Sequence, residues 1–350
     1  MNYSKKIAHI VGARPQFVKM AMIYKLCQQK LNQIIIHTGQ HFDENMSDVF
    51  FKDLNLPQPE YNLNIHSLHR LDMLSKMQDS ISSVLKIENP DILIVYGDTN
   101  STLAGARVAS RLNIKIVHIE AGLRSFNLNM PEELNRIETD QLSDILFCPT
   151  LTAVENLRKE KLYNKKIINC GDVMFDAIKK YNENIITDSD FNYILCTIHR
   201  QENTDSVDNL RAIFNGLNII HSSIMPVLMP IHPRCKKAIE KAKITPFFDV
   251  IEPIGYLKMI EKLSNSKLVI TDSGGLQKEA FFLQKPCLTI RDETEWIELL
   301  DVGVNELCST NLDDIVSKTS IMLNKNLNFN HSFYGDGFAA KKIVQELLSI

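Results

Sequence analysis

Short runs of Val, Ile and Leu alternate with amphipathic stretches along almost the whole chain, and this rhythm narrows the possible folds more than any other feature. The first half carries IAHIVGA (7–13), QIIIHTG (33–39), DILIVYGD (91–98), KIVHIEAG (115–122) and ILFCPT (145–150). Between them lie helical patterns such as PQFVKMAMIYKLCQQ and HRLDMLSKMQDSISSVLK. Continuous apolar strands separated by helices imply parallel strands buried on both faces. The rhythm restarts with KKIINCGDV and runs on through YILCTIHR, IMPVLMPIH, FDVIEPIG, KLVITDSGG and PCLTIR. At 350 residues the chain exceeds one ordinary core and suits two. The expectation is an α/β protein of two doubly wound, Rossmann-like domains joined near Lys165 to Asp172. A ligand cleft is expected at the carboxyl ends of the strands.

Composition removes several function classes. Hydrophobic residues make up 44% and charged residues 23%, the balance of a globular protein. A net charge of -3 gives no basic field for nucleic acid. The apolar run after Lys5 and Lys6 meets Arg14 and Pro15 with no small-residue cleavage pattern, so it reads as a first strand and not a signal peptide. No segment approaches the ~20 apolar residues of a membrane span, and a cytoplasmic enzyme is expected. Seven scattered cysteines without a CxxC pair read as reduced core thiols.

Polar residues gather where the strands should end. TDSGGLQKEA (271–280) follows the apolar KLVI and opens a helix. Gly274 and Gly275 admit a close ligand, and free amides at a helix start attract phosphate oxygens. Ser273 adds a hydroxyl donor or simply caps the helix. Glu279, one turn on, accepts from sugar hydroxyls or stays an exposed carboxylate. GARPQFVK is not the GxGxxG fingerprint, which argues against a nicotinamide cofactor. Arg14 and Lys19 face a phosphate or form a solvated basic face.

Asp98 in YGDT, Glu120 in HIEAG and Glu132/Glu133 in MPEELNR end or follow central strands. A carboxylate there is either paired with arginine or tuned for proton transfer. Glu132 and Arg136 stand four apart, the spacing of a helical ion pair. His199 and Arg200 end a strand of the second half, where a histidine can titrate or donate to a leaving phosphate. His41, His118 and His232 read as structural. No GxSxG elbow or metal-ligand spacing occurs.

Taken together, GARPQFVKMA, HTGQH, YGDTNSTLAGARVA, HIEAGLRS, MPEELNR, CGDVMFDAI, HRQEN, TDSGGLQKEA and RDETEW resemble the non-hydrolysing UDP-N-acetylglucosamine 2-epimerases. The resemblance implies a GT-B architecture, with residues 1–168 as one domain, 169–335 as the UDP-binding domain, and a helix in FAAKKIVQELLS (338–349) returning to the first. It implies elimination of UDP to a bound 2-acetamidoglucal and re-addition with the C2 proton on the opposite face. On that basis Asp98, Glu120 and Glu132 match the acid–base carboxylates, and Arg136 and His199 match supporting catalytic residues. Arg14, Lys19, Ser273, Gly274, Gly275 and Glu279 match contacts to UDP. Gln40 and His41 fall where some bacterial members bind a second UDP-sugar. No cofactor or metal, a UDP-sugar partner and a homodimer are implied.

Two departures bear on the sugar. The family's usual Thr-Glu-Arg-Pro-Glu is Thr294-Glu295-Trp296-Ile297-Glu298 here, and tryptophan cannot make a bidentate phosphate contact. Ile254 and Met259 replace the usual polar and aromatic residues in EPIGYLKM. GARPQF with ETEW resembles the branch acting on UDP-2,3-diacetamido-2,3-dideoxyglucuronate, so that acidic sugar stands beside UDP-GlcNAc as a substrate. A GT-B glycosyltransferase and a non-catalytic UDP-sugar sensor are the remaining alternatives.

Overall fold

The computed structural model describes residues 5–40, 48–183, 185 and 192–350. The chain divides into two compact units, Met1–Ala177 with Ser332–Ile350, and Ile178–His331. Each is a parallel sheet with helices on it, the α/β, Rossmann-like architecture expected from the rhythm of the sequence.

The first unit holds seven strands: β1 (Lys6–Val11), β2 (Asn32–His37), β3 (Tyr61–Asn62), β4 (Ile92–Tyr96), β5 (Lys115–Ile119), β6 (Ile145–Cys148) and β7 (Lys166–Asn169). Their order is β3-β2-β1-β4-β5-β6-β7. Alternate residues of each strand point to one face. Ala8, Ile10, Ile34, Ile36, Leu93, Val95 and Ile116 form one core with the helices Arg70–Glu88 and Asn100–Arg111, which contribute Leu74, Met77, Ile81, Leu103 and Val108. KKIINCGDV departs from the sequence reading: it does not open the second series. Its strand β7 pairs with β6, Cys148 opposite Asn169. Apolar runs identify strands, but the sheet they join is set by the connection. Here the nine-residue helix Leu151–Lys159 simply carries the chain to the next position in the same sheet. β3, two residues long, leaves no pattern to read.

The second unit holds β8 (Ile194–Thr197), β9 (Val227–Pro230), β10 (Asp249–Ile251), β11 (Leu268–Thr271), β12 (Cys287–Ile290) and β13 (Asn305–Cys308), ordered β10-β9-β8-β11-β12-β13. Ile194, Cys196, Met229, Ile270 and Leu288 face the helices Val207–Ser223 and Leu312–Asn324. Leu195, Val269 and Cys287 pack on the other face with Leu276 and Ala280. All seven cysteines are free and buried, and burial pushes the Cys27, Cys235, Cys287 and Cys308 thiols up to about 12.

In both sheets the order reverses beside the first strand, between β1 and β4 and between β8 and β11. Connections leaving these neighbours run to opposite sides, so the strand ends part and open a crevice.

The helix Ala339–Ser349 packs on the helix Arg14–Cys27 of the first unit, burying Ala340, Ile343, Val344 and Leu347. Asp176 receives its first amides, Ala339 N at 3.0 Å and Ala340 N at 2.7 Å. Burial raises the Asp176 carboxyl to about 6, with these two amides opposing the rise. A folded value above the unfolded 3.8 means the ionised form disfavours folding. The group's contribution to stability is therefore complete below about 4 and is lost as pH rises through about 6. Urea midpoints of the wild type and Asp176→Asn, measured from pH 4 to 7, should show the wild type losing ground to the variant across that window. A gap that stays constant contradicts the assignment.

Candidate active site

Gln16 closes the crevice of the first unit. It lies at 1% exposure in the helix Arg14–Cys27, where Pro15 fits the first turn. Its Oε1 accepts Gly12 N at 2.7 Å and Ala13 N at 3.0 Å. Its Nε2 donates to Tyr96 O at 2.7 Å, Thr102 Oγ1 at 2.9 Å and Thr99 Oγ1 at 3.0 Å. Donors and acceptors on the two sides fix the amide orientation. The turn after β1, which carries Arg14, is thereby tied to the turn after β4, which carries Asp98. A glutamate in this place would turn a carboxylate oxygen toward the Tyr96 carbonyl, which has nothing to donate.

Asp98 is part of a chain of charges. Arg136 Nη2 lies 2.8 Å from Asp98 Oδ2, and Arg136 Nη1 lies 2.7 Å from Glu133 Oε2. Glu133 is wholly buried and also accepts Ser125 N at 2.9 Å and Phe126 N at 3.0 Å, which pins the loop after β5. The expected pairing of Arg136 with Glu132 is thus replaced by one with Glu133, three residues back. Cβ vectors at both i+3 and i+4 share a helical face, and Glu133 is the one turned inward. Glu132 is half-buried and makes no hydrogen bond or ion pair among the described residues. Asn135 holds the same turn by donating to Asp98 O at 2.8 Å.

Glu120 follows β5 with φ +74, an uncommon conformation for a residue with a side chain. Its amide and that of Ala121 bond to Phe147 O at 3.1 and 3.0 Å. The kink brings its carboxylate onto the Lys19 ammonium. Both side chains are nearly buried, at 11% and 5% exposure, so removing either would strand a charge. Lys19 therefore ends on Glu120 and is not part of a solvated basic face. Arg14 is half-buried, its guanidinium 5.4 Å from the Phe50 ring centroid. Gln40 Oε1 accepts Ser101 Oγ at 2.9 Å, at the start of the helix Asn100–Arg111. His41 lies outside the described residues.

Asp272 does for the second unit what Gln16 does for the first. It is fully buried after β11 and accepts His199 N at 3.0 Å, Arg200 N at 2.9 Å and Asn203 Nδ2 at 3.0 Å. His199 Nδ1 stands 3.2 Å from its other oxygen. Burial pushes the Asp272 carboxyl up, but His199 and these donors more than offset that and hold it below the usual carboxylate range. With Nδ1 turned to Asp272, the His199 side chain remains 36% exposed.

Ser273 caps the helix Gly274–Phe282, its Oγ accepting Leu276 N at 3.5 Å. A side chain on Gly274 would collide with Glu295 Oε1, whereas a Cβ on Gly275 would meet nothing within 4 Å. The protein's own packing leaves Gly275 free, and open space at a helix N-terminus suits an approaching anion. Glu279 is buried at 8% exposure and is not the solvent-facing carboxylate that spacing allowed. Trp296 is buried too, its Nε1 donating to Gly274 O at 2.9 Å under the Lys278 ammonium, 4.5 Å from the ring. It braces the glycine loop. Arg291 Nη1, at the end of β12, pairs with Glu295 Oε2 at 3.0 Å. Among the described residues no cluster of three or more His, Cys, Asp or Glu could hold a metal, and no helix is long and apolar enough to cross a membrane.

Three residues escaped the sequence reading of the site. Gln16 and Asp272 each sit inside a recognised motif, GARPQF and TDSGG, but neither has a charge pattern that separates a suture from a turn. Glu133 was visible only as a twin of Glu132.

The profile of the family described as UDP-N-acetylglucosamine 2-epimerase matches residues 25–348. The UDP-2,3-diacetamido-2,3-dideoxy-D-glucuronate 2-epimerase of Pseudomonas aeruginosa is 48% identical over 99% of this chain and 100% of its own. The UDP-N-acetylglucosamine 2-epimerase of Methanocaldococcus jannaschii is 42% identical over 98% of each chain. A crystal structure of the Methanocaldococcus jannaschii UDP-GlcNAc 2-epimerase, in complex with UDP-GlcNAc and UDP, superimposes with a TM-score of 0.91 at 39% identity, over 99% of this chain and 100% of that one. Matched by the family's profile over most of its length and by relatives at 42–48% identity, the chain belongs to the UDP-N-acetylglucosamine 2-epimerase family.

Proposed function

We propose that this protein inverts carbon 2 of a UDP-activated 2-acetamido sugar without a nicotinamide or metal. The observation that carries the reading is the set of carboxylates on the strand ends of the first unit, Asp98 on Arg136 and Glu120 on Lys19, in a chain of this family. A base takes the C2 proton as the bond from C1 to the UDP oxygen breaks, and the electron pair forms the C1–C2 double bond of a 2-acetamidoglucal. UDP then adds back to C1 while an acid returns a proton to the opposite face of C2. Asp98, Glu120 and Glu132 supply the acid and base, and Arg136 orients the Asp98 carboxylate. In the second unit Ser273, Gly274 and Gly275 receive the diphosphate, Glu279 the sugar hydroxyls of UDP, and His199 the leaving group. Arg14 and Lys19 add positive charge for the nucleotide. On the family resemblance the enzyme works as a cytoplasmic homodimer that makes a surface polysaccharide precursor, and Gln40 with His41 belongs to a second UDP-sugar site.

A second reading concerns the sugar. The 48% identity to a 2-epimerase of UDP-2,3-diacetamido-2,3-dideoxy-D-glucuronate supports that acidic substrate over UDP-GlcNAc. Incubating each UDP-sugar with the enzyme in heavy water and following C2 by NMR separates the two. The turned-over sugar gives its C2 epimer with deuterium at C2. Product without deuterium rules out elimination, and no epimer from either sugar leaves a transferase or a sensor. Asp98→Asn is expected to lose about 10²- to 10⁴-fold in turnover while calorimetry shows UDP affinity unchanged. Turnover near the wild-type rate removes Asp98 from the mechanism.

A further inference from the structure

His118 lies on β5 with no solvent exposure, and both of its ring nitrogens have partners. Nε2 is 2.8 Å from the carbonyl oxygen of Gly97, and Nδ1 is 2.7 Å from Asp140 Oδ1. A carbonyl oxygen only accepts, so Nε2 carries a hydrogen. Asp140 is equally buried. Burial pushes its carboxyl up, but His118 and Arg124 more than offset this and hold it below the usual carboxylate range. Asp140 Oδ1 holds Nδ1 in the same way, so both ring nitrogens are engaged and the ring is fixed between the two partners.

The partner of Nε2 gives this arrangement its meaning. Gly97 immediately precedes Asp98 and turns the chain with φ +60. A Cβ on Gly97 would stand 3.1 Å from Glu120 Oε2 and 3.6 Å from Lys19 Nζ. The peptide gripped by His118 therefore lies between Asp98 and the Glu120–Lys19 pair. Asp140 in turn belongs to the helix Pro131–Leu142, which also carries Glu132 and Arg136. Its second oxygen accepts Gly122 N at 3.1 Å and Arg124 Nη1 at 2.8 Å, and Arg124 continues to Glu160 Oε1 at 2.6 Å. One buried pair thus joins the turn after β4, the loop after β5 and the helix of Arg136. Cohesion alone does not call for it, because buried polar and ionic pairs seldom stabilise more than well-packed apolar side chains of the same size. The neighbours Val117 and Ile119 fill the strand core without charge.

We propose that His118, held by Asp140, is the positioning residue that sets Asp98 for proton transfer, acting through the Gly97 carbonyl. A peptide is planar, so fixing that oxygen fixes the plane from which the Asp98 side chain departs. The proposal rests on the reading of Asp98 as an acid–base group.

The test uses the full chain and whichever UDP-sugar the NMR assay shows to turn over. His118→Phe, His118→Gln, Asp140→Asn and Asp98→Asn are compared with the wild type for kcat, KM, UDP affinity by calorimetry and the unfolding midpoint. His118→Phe is expected to lose about 10²-fold in kcat, the scale of a small misplacement of a reacting group, while KM and UDP affinity stay within about twofold. Glutamine keeps an N–H that can reach the Gly97 carbonyl, so His118→Gln recovers several-fold in kcat over phenylalanine. Asp140→Asn, which weakens the hold on Nδ1 but leaves Nε2 facing the Gly97 carbonyl, falls between the two. A kcat within threefold of the wild type in folded His118→Phe overturns the proposal. So does an equal loss in the Phe and Gln variants, or a loss that tracks UDP affinity and stability. If Asp98→Asn turns over normally, the acid–base reading falls first and the proposal with it; if Asp98→Asn is inactive and the His118 variants are not impaired, only the proposal falls.

Discussion

The strand-order reversal in each sheet is the constraint around which the polar strand ends of each unit are arranged. Where β1 and β4, or β8 and β11, send their connections to opposite sides, the strand ends separate and the backbone groups of the parted turns lose their ladder partners. An unpaired buried polar group costs about 1–3 kcal/mol, so the crevice has to be closed by something polar. In the first unit this is a neutral amide, Gln16, with donors on one side and acceptors on the other. In the second it is an ionised carboxylate, Asp272, surrounded by N–H groups and His199 Nδ1. The choice follows the partners: the first crevice presents amides and a carbonyl together, the second only donors.

Charge in the first unit is arranged on the same principle of local closure. Asp98, Glu133 and Arg136 form one group, Glu120 and Lys19 a second, and His118, Asp140, Arg124 and Glu160 a third. Each carboxylate is paired with a basic side chain that fixes its direction. Such pairing suits proton transfer, in which the acid–base group must be aimed before the substrate arrives. In the second unit the Trp296 indole, the Lys278 ammonium and the Arg291–Glu295 pair brace a glycine loop whose outer side stays open.

The architecture was legible because parallel strands buried on both faces leave continuous apolar runs, as ILIVY and LVIT do. The residues at strand ends were legible as types: Asp98, Glu120, His199 and Ser273 are conspicuous against that background. Pairings were not. Glu132 and Glu133 both meet the spacing rule for Arg136, and only the packing of the helix on the loop after β5 decides between them. His118 looked like an ordinary strand histidine because its partners come from Gly97 and Asp140, 21 and 22 residues away. The same limit applied to KKIINCGDV, whose apolar pattern carries no record of which sheet it completes.

The helix Ala339–Ser349 has a consequence during synthesis. Its partner, the helix Arg14–Cys27, is made near the start, and every residue of the second unit is made in between. At ~5–20 residues per second, a ribosome takes on the order of fifteen to sixty seconds to cross that interval. Throughout it, the surface that will receive Ile343, Val344 and Leu347 stays uncovered on a sheet otherwise ready to fold. The apolar side of the helix Arg14–Cys27 therefore waits for a partner that lies far downstream in the sequence.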